Sequence, residues 1–438
     1  MLIFGGLHIF AWFISVVFGF IACCTVALAQ EGSFSGYTPY SMYAIGDIMT
    51  PGSAYNKSMG GVGVATRNKK YINYLNPASI TARDSLSFMV DFSLASNNTI
   101  FRQGDLKSAN NRFNINNLNL SFPIYRSSAM MFGINPMSAT GYSILSSIDT
   151  PALISEVTSI SDLWAGQGSV SEAYAAAAVT FWGRMSIGVE GLLYFGNIEK
   201  TYNRYIGNTD YLGFTSGQNI RITAPALKVG LQYEQPLGDN MVLGVGATYR
   251  TRGKMRGEIT SYLDTLSTSD TLNLAKTDLA FASELGVGIS LRSGEKWRIE
   301  LNYLRSDWSK SGFDDVLGMK IGSKDGTSFS ATTSESFRAG FELIPNENDI
   351  RYYYRRWAYR VGLYYEKSYF KFDGNQVNQY GLTFGVTLPV FRWSNGVTVA
   401  VDLGQRGSLA NGMVMERYFN ITAGFNAYDI WFQKSRYK

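Results

Sequence analysis

Leu86-Ser87-Phe88-Met89-Val90-Asp91-Phe92-Ser93-Leu94-Ala95 is the stretch that decides the fold. Leu86, Phe88, Val90, Phe92 and Leu94 alternate with Ser87, Met89, Asp91, Ser93 and Ala95, and a period of two puts one greasy face and one small or polar face on a strand. The phase returns along the chain: Leu118, Leu120, Phe122 and Ile124; Leu227, Val229, Leu231 and Tyr233; Trp297, Ile299, Leu301 and Tyr303; Phe337, Ala339, Phe341 and Leu343; Val397, Val399, Val401 and Leu403; Phe419, Ile421, Ala423 and Phe425. Counting such segments from Ser85 to Asn426 gives about fourteen, an even number in the range of bacterial outer-membrane barrels.

Their connections alternate in length. Tight links fall at Arg126-Ser127, Phe181-Trp182-Gly183, Gln235 to Asn240, Ser293 to Glu295 and Arg392 to Asn395. Long ones run from Asn98 to Asn111, Ser138 to Ser171, Glu199 to Arg221, Asp264 to Lys276 and Ser309 to Ser334. Short periplasmic turns and long outer loops are the asymmetry of a transmembrane barrel. A link from Pro345 to Arg355 is longer than its side predicts. The alternative, a soluble exported β-protein, would turn its apolar faces toward each other and would need no such asymmetry. The expected fold is therefore all-β, a transmembrane antiparallel barrel spanning residues 85–426, with Trp182, Trp297, Trp357, Trp393 and Trp431 placed for interfacial girdles.

An ionised Arg or Lys pointing into lipid at mid-membrane costs about 2–4 kcal/mol. Asp91, Glu190, Glu234, Arg250, Glu284, Arg298, Glu300, Arg338, Glu342, Arg360, Glu366 and Asp402 occupy the non-apolar phase of their strands and are expected to face the lumen. They form either a wet, mutually paired interior or a ligand-binding one.

Composition narrows the chemistry. Of 438 residues, 45% are hydrophobic and 14% aromatic, with 39 Lys+Arg against 34 Asp+Glu, a net charge of +5. That is too apolar for a disordered chain, and without a five-residue basic run it gives no sign of nucleic acid. Met1 to Ala29 carries no Lys, Arg, Asp or Glu and ends in Ala27-Leu28-Ala29, an export signal in form, although the usual basic start is missing. A retained anchor, or lipidation at Cys23, are the alternatives. Both cysteines, Cys23 and Cys24, and the one histidine, His8, lie in this leader. Thiol or histidine catalysis, disulfides, zinc and haem ligation are thereby excluded from residues 30–438. No cofactor, no metal and no enzyme activity are expected.

Between Gln30 and Asp84 the alternation is absent. The stretch is rich in Gly, Tyr, Met and Asn, and is read as a plug folded into the lumen, with Met42, Tyr43, Ile45 and Met59 as a candidate hydrophobic groove. Gly60-Gly61-Val62-Gly63-Val64-Ala65, followed by Asn76-Pro77-Ala78, resembles the hatch signature of the FadL/TodX family of outer-membrane channels. Gly166-Gln167-Gly168, Tyr194-Phe195-Gly196, Tyr380-Gly381-Leu382-Thr383-Phe384-Gly385 and Leu388-Pro389 extend the resemblance over nearly the whole chain. Glycines let the plug backbone pass close to the wall, and Asn76-Pro77 fixes a turn into the first strand.

The resemblance implies a fourteen-stranded barrel with an N-terminal hatch, passing long-chain fatty acids or aromatic compounds. It also admits relatives in Bacteroidetes-type bacteria that act as scaffolds of protein secretion or accompany assembly machines. Tyr40-Ser41-Met42-Tyr43 with Gly46-Asp47, and the tail 427–438 with Trp431-Phe432-Gln433-Lys434, look like that lineage. Two functions remain open: a channel for hydrophobic small molecules, and a scaffold binding protein partners through its outer loops. Ile154, Val157, Ile160, Leu163 and Trp164 are expected to form a short amphipathic docking helix there. Outer-membrane lipid is the expected surroundings in either case.

Overall fold

The computed structural model describes residues 36–83, 87–125, 127–147, 159–207, 213–256, 258–265, 269–274, 279–313, 328–390 and 396–430. The leader, Trp393 and the Trp431–Lys434 tail lie outside these residues. So do Ile154 and Val157.

Fourteen strands follow one another: β1 (Ser87–Gln103), β2 (Leu106–Tyr125), β3 (Ser128–Ser147), β4 (Ile160–Phe181), β5 (Met185–Ile206), β6 (Phe214–Leu237), β7 (Met241–Arg250, continued by Gly253–Lys254 and Glu258–Thr265), β8 (Ser269–Leu274, Ala280–Phe281 and Ser283–Ser293), β9 (Trp297–Asp307), β10 (Phe329–Ala331 and Thr333–Leu343), β11 (Ala358–Phe372), β12 (Asn375–Pro389), β13 (Gly396–Arg406) and β14 (Met415–Ile430). Each pairs antiparallel with its chain neighbours. The last strand returns to the first, from Ser87↔Ile430 to Arg102↔Met415, and the sheet closes into a fourteen-strand barrel. Closure leaves no edge strand along that seam, the condition for burying a sheet in hydrocarbon.

The two faces separate as the alternation requires. On β9, Ile299 and Leu301 are 43% and 57% exposed, whereas Arg298 and Glu300 beside them are 4% and 0%. Phe337, Phe341 and Leu343 of β10 and Phe419 and Phe425 of β14 also point outward. A large exposed apolar belt over a buried charged interior is the inverse of a soluble sandwich.

Three expectations need correction. The long loops are largely strand: Phe101 pairs with Ser108, Trp164 with Ile144, Glu199 with Asn219 and Asp264 with Ser269. Strands β4, β5 and β6 run to 22, 22 and 24 residues, where about 9–11 suffice to cross a membrane. Outside the bilayer both faces meet water or protein, so the apolar alternation lapses while backbone pairing continues. For the same reason Ile160, Leu163 and Trp164 are on β4 and not on a helix. Lastly, residues 427–430, assigned to the tail, complete β14, because β1 begins at Ser87 and offers them a partner.

Candidate functional site in the barrel interior

Residues 36–83 lie against the inward face of the wall, in short pieces set by local capping. Thr38 caps a 3-10 turn at Pro39–Met42, accepting from the Tyr40 N–H at 3.2 Å. Helix α1 (Ala54–Lys57) starts in a Ser53/Asn56 capping box. Asn76 accepts from the Ala78 N–H at 3.0 Å and opens a second 3-10 turn at Pro77–Ala82, so the Asn-Pro pair does make a turn ahead of β1. Proline suits that first helical position because its missing N–H would have no partner there.

Charged wall residues grip this segment. Arg298 donates to the Tyr55 hydroxyl at 2.8 Å and to the Arg67 carbonyl at 3.2 Å. Glu300 accepts from the Ala65 N–H at 3.0 Å and from the Thr66 hydroxyl. Arg338 donates to the Gly60 carbonyl at 3.2 Å and to Glu366 at 2.8 Å. Arg360 pairs with Glu342 at 2.7 Å while its guanidinium lies 4.5 Å from the centre of the Tyr55 ring. Asp91 bonds Asn117 and Glu190 faces Lys228 at 3.9 Å, both within the wall. Glu234 and Glu284 pair with Arg292 and Arg250, each at 3.2 Å, and Asp402 accepts from Tyr364 at 2.9 Å.

The glycines divide. Gly60 has φ +71° and sits where a Cβ would meet the Ala339 and Leu363 carbonyls of β10 and β11, each 3.0 Å away, so it is a true close approach to the wall. Its N–H donates to Thr383 on β12 at 2.8 Å. A Cβ on Gly61 would strike Arg338, and one on Gly63 would strike Asn56, Asn73 and Leu75 of the segment itself. Wall glycines were the missed signal: Gly188, Gly230, Gly246, Gly340 and Gly362, on the inward phase of their strands, leave room for Pro77, Asn76, Val64, Met59 and Gly60.

Tyr43 packs against the clusters of both Met42 and Ile45, and Met59 stands apart from them. Met42 packs with Tyr142 and Trp164, and Met59 with Tyr55 and Val62. Ile45 belongs to a larger cluster with Ile198, Ile220 and Phe370, and the Tyr43 ring stacks on Phe329 at 5.0 Å. Met42, Ile45 and Met59 are wholly buried. Sequence reasoning also missed Lys200, read as loop: it is fully buried on β5 and its Nζ donates to the Met42 and Ala44 carbonyls at 2.6 and 3.0 Å.

Space exists elsewhere. β2 and β3 pair only from Leu118↔Ile134 to Tyr125↔Ser128. Beyond that point β2 continues on β1 and β3 on β4, and among the described residues the two no longer meet. Pro136, which has no N–H to offer a ladder, and a register shift between Pro136 and Ser138 mark the departure. The N-terminal segment takes part of the vacated edge, with Asp47↔Ala139 and Ile48↔Ser138 and a Met49 N–H to Met137 carbonyl bond of 2.9 Å. A cavity of about 260 Å³ reaches this opening, where Ile115 and Asn116 of β2 and Pro136, Met137 and Ala139 of β3 line it. Its deeper wall is charged, with Lys57, Arg338, Glu366, Asp402 and Arg406. Burial pushes the Lys57 ammonium down to about 8, against the opposing pull of Asp402.

Known proteins place this architecture. A toluene transporter of Ralstonia pickettii, TbuX, superposes with a TM-score of 0.57 at 15% identity, over 86% of this chain and 98% of that one. A Pseudomonas aeruginosa FadL homologue does so at 0.57 and 10% identity, over 88% and 100%. The Pseudomonas putida toluene transporter TodX gives 0.54 and 15%, over 88% and 99%. At such identities the likeness concerns the fold, and it is the FadL-type barrel. No curated protein matches the sequence. The residue pattern of one family, described as BamG, matches residues 13–438, and the chain therefore belongs to the BamG family.

Proposed function

We propose that this protein is an outer-membrane channel in which residues 36–83 plug the barrel and hydrophobic small molecules, aromatic or fatty-acid-like, pass sideways between β2 and β3. One observation carries the reading: the interior cavity is continuous with the stretch where those strands part, and Ile115, Leu118 and Ile134 beside it are exposed on the lipid side. A solute leaving there enters hydrocarbon without crossing the charged centre, whose desolvation no apolar molecule could offset. The toluene transporters among the fold neighbours support the same solute class. Residues 1–29 act as the export signal, and the barrel performs no covalent chemistry. Uptake of labelled toluene and of a labelled long-chain fatty acid, in cells with and without the gene, tests this. Uptake should fall on deletion and again with Met137→Trp, which fills the opening; unchanged uptake in the deletion strain defeats the reading.

A second reading, an accessory barrel of an outer-membrane secretion or assembly complex, draws on a different observation. Met42, Ile45 and Met59 are packed shut and the cavity beyond the opening is charged, which suits a sealed scaffold better than a solute store. Purification from native membranes in mild detergent separates the two, since a scaffold should emerge with stoichiometric partners.

A further inference from the structure

At the end of the barrel where residues 182–184, 238–240 and 294–296 make tight turns, one connection stands apart: residues 344–357, between β10 and β11. This turn is built. Asp349 accepts from the backbone N–H groups of Arg351 and Tyr352 at 2.9 and 2.8 Å. The Tyr353 hydroxyl donates to the Pro389 carbonyl at 2.7 Å, and that of Tyr359 to the Tyr354 carbonyl at 3.0 Å.

The side chains it holds out are not those of an ordinary polar connection. Ile350 is 102% exposed, and Tyr353 and Tyr354 are 47% and 51% exposed. The guanidinium carbons of Arg351 and Arg355 lie 5.2 and 4.9 Å from the Tyr352 ring centre, and that of Arg356 lies 5.8 Å from the Tyr353 ring. A guanidinium resting on a ring keeps its N–H edge for a carboxylate. Arg355 gives one such contact to Asp349 at 3.4 Å. Among the described residues no carboxylate pairs with the side chain of Arg351 or Arg356. Exposed Tyr and Arg, pre-ordered around an apolar tip, have the composition of a protein interface centre.

Charge at the same end agrees. A cavity of about 270 Å³ opens there with Arg67, Lys69, Arg292 and Arg298 against Glu234 and Glu295, and on the neighbouring turns Arg184 and Lys296 are exposed beside Asp239. A lipid interface would accommodate the tyrosines, but this second cavity lies within the barrel mouth, where Glu234 is shared between Arg67 and Arg292 at 3.3 and 3.2 Å and leaves the lining with a surplus of cations. The turn is also fastened to the N-terminal segment through Lys70 and Glu347.

The geometry points to residues 344–357 as a docking site for a protein partner with an acidic surface, approaching the barrel from the periplasm. The inference rests on the barrel having its short turns in the periplasm, and holds whether or not the barrel conducts solutes. A photo-crosslinking residue in place of Ile350, activated in living cells, tests it. The expected product is a discrete protein adduct whose cross-linked peptide is rich in Asp and Glu. The adduct should fall about ten-fold in the double variant Arg351→Glu, Arg356→Glu, once heat-modifiable migration shows that the variant barrel has folded. If that variant misassembles, Arg351→Gln carries the same test, with a loss of about three-fold. Adducts to phospholipid, adducts insensitive to these substitutions, or no adduct would each overturn the proposal.

Discussion

The Nζ of Lys200, on β5, lies 2.6 Å from the carbonyl oxygen of Met42 and donates to it inside a wholly buried environment. With the second bond to Ala44 it ties the wall to the part of the N-terminal segment that carries Tyr40 to Ile45. Lys200→Met keeps the volume and leaves two buried carbonyls without this donor, at about 1–3 kcal/mol. The variant should keep its heat-modifiable barrel yet let protease cut within residues 37–50, measured by limited proteolysis and mass spectrometry; an unchanged cleavage pattern would count against the clamp.

Gly60 gives a second prediction. Any side chain there must adopt φ near +71° and press on the β10 and β11 carbonyls, and the backbone strain alone is worth about 1–3 kcal/mol. Gly60→Val should raise single-channel conductance in planar bilayers and sensitise cells to large antibiotics. Gly191→Ala, on β5 with nothing near a new Cβ and no positive φ, should not.

The lipid face can be probed on β9. Leu301→Arg places a charge on the outward row at a cost of about 2–4 kcal/mol if that row sits at mid-bilayer. Folding into liposomes, followed by urea titration, should show the loss. Equal stability of the variant would mean that water, not hydrocarbon, bathes this face.

Lys57 sets a pH dependence. Its folded pKa, about 8, is below the ordinary lysine value of 10.5, so between those values the unfolded chain holds more protons than the folded one. Stability therefore rises with pH across that window, by up to about 1.4 kcal/mol per unit. Lys57→Met should flatten the rise in an unfolding series run from pH 7.5 to 10.5.

Much of this architecture is legible in the sequence because lipid imposes a strict code: every second residue from Phe88 to Leu94 must be apolar, and the intervening Asp91 must turn away. The code weakens where strands leave the membrane. Glu199 and Asn219 pair as regularly as any mid-membrane couple, yet their polar surroundings read as loop. The interior is less legible still. Arg298 and Glu300 can be assigned to the lumen by phase alone, but that they hold Tyr55 and Ala65 depends on how residues 36–83 are threaded, which no periodicity encodes. Met42 and Met59 look alike in sequence and lie in different clusters for the same reason.

The seam between β1 and β14 fixes an order of events. Its two halves are Ser87–Gln103 and Met415–Ile430, the first and the last stretches of wall in the sequence, so the cylinder stays an open sheet until these two distant strands meet. Residues 36–83 precede all of it. Whatever guides closure must therefore bring that leading stretch to the concave side, where Gly60 meets the wall at Ala339, Leu363 and Thr383.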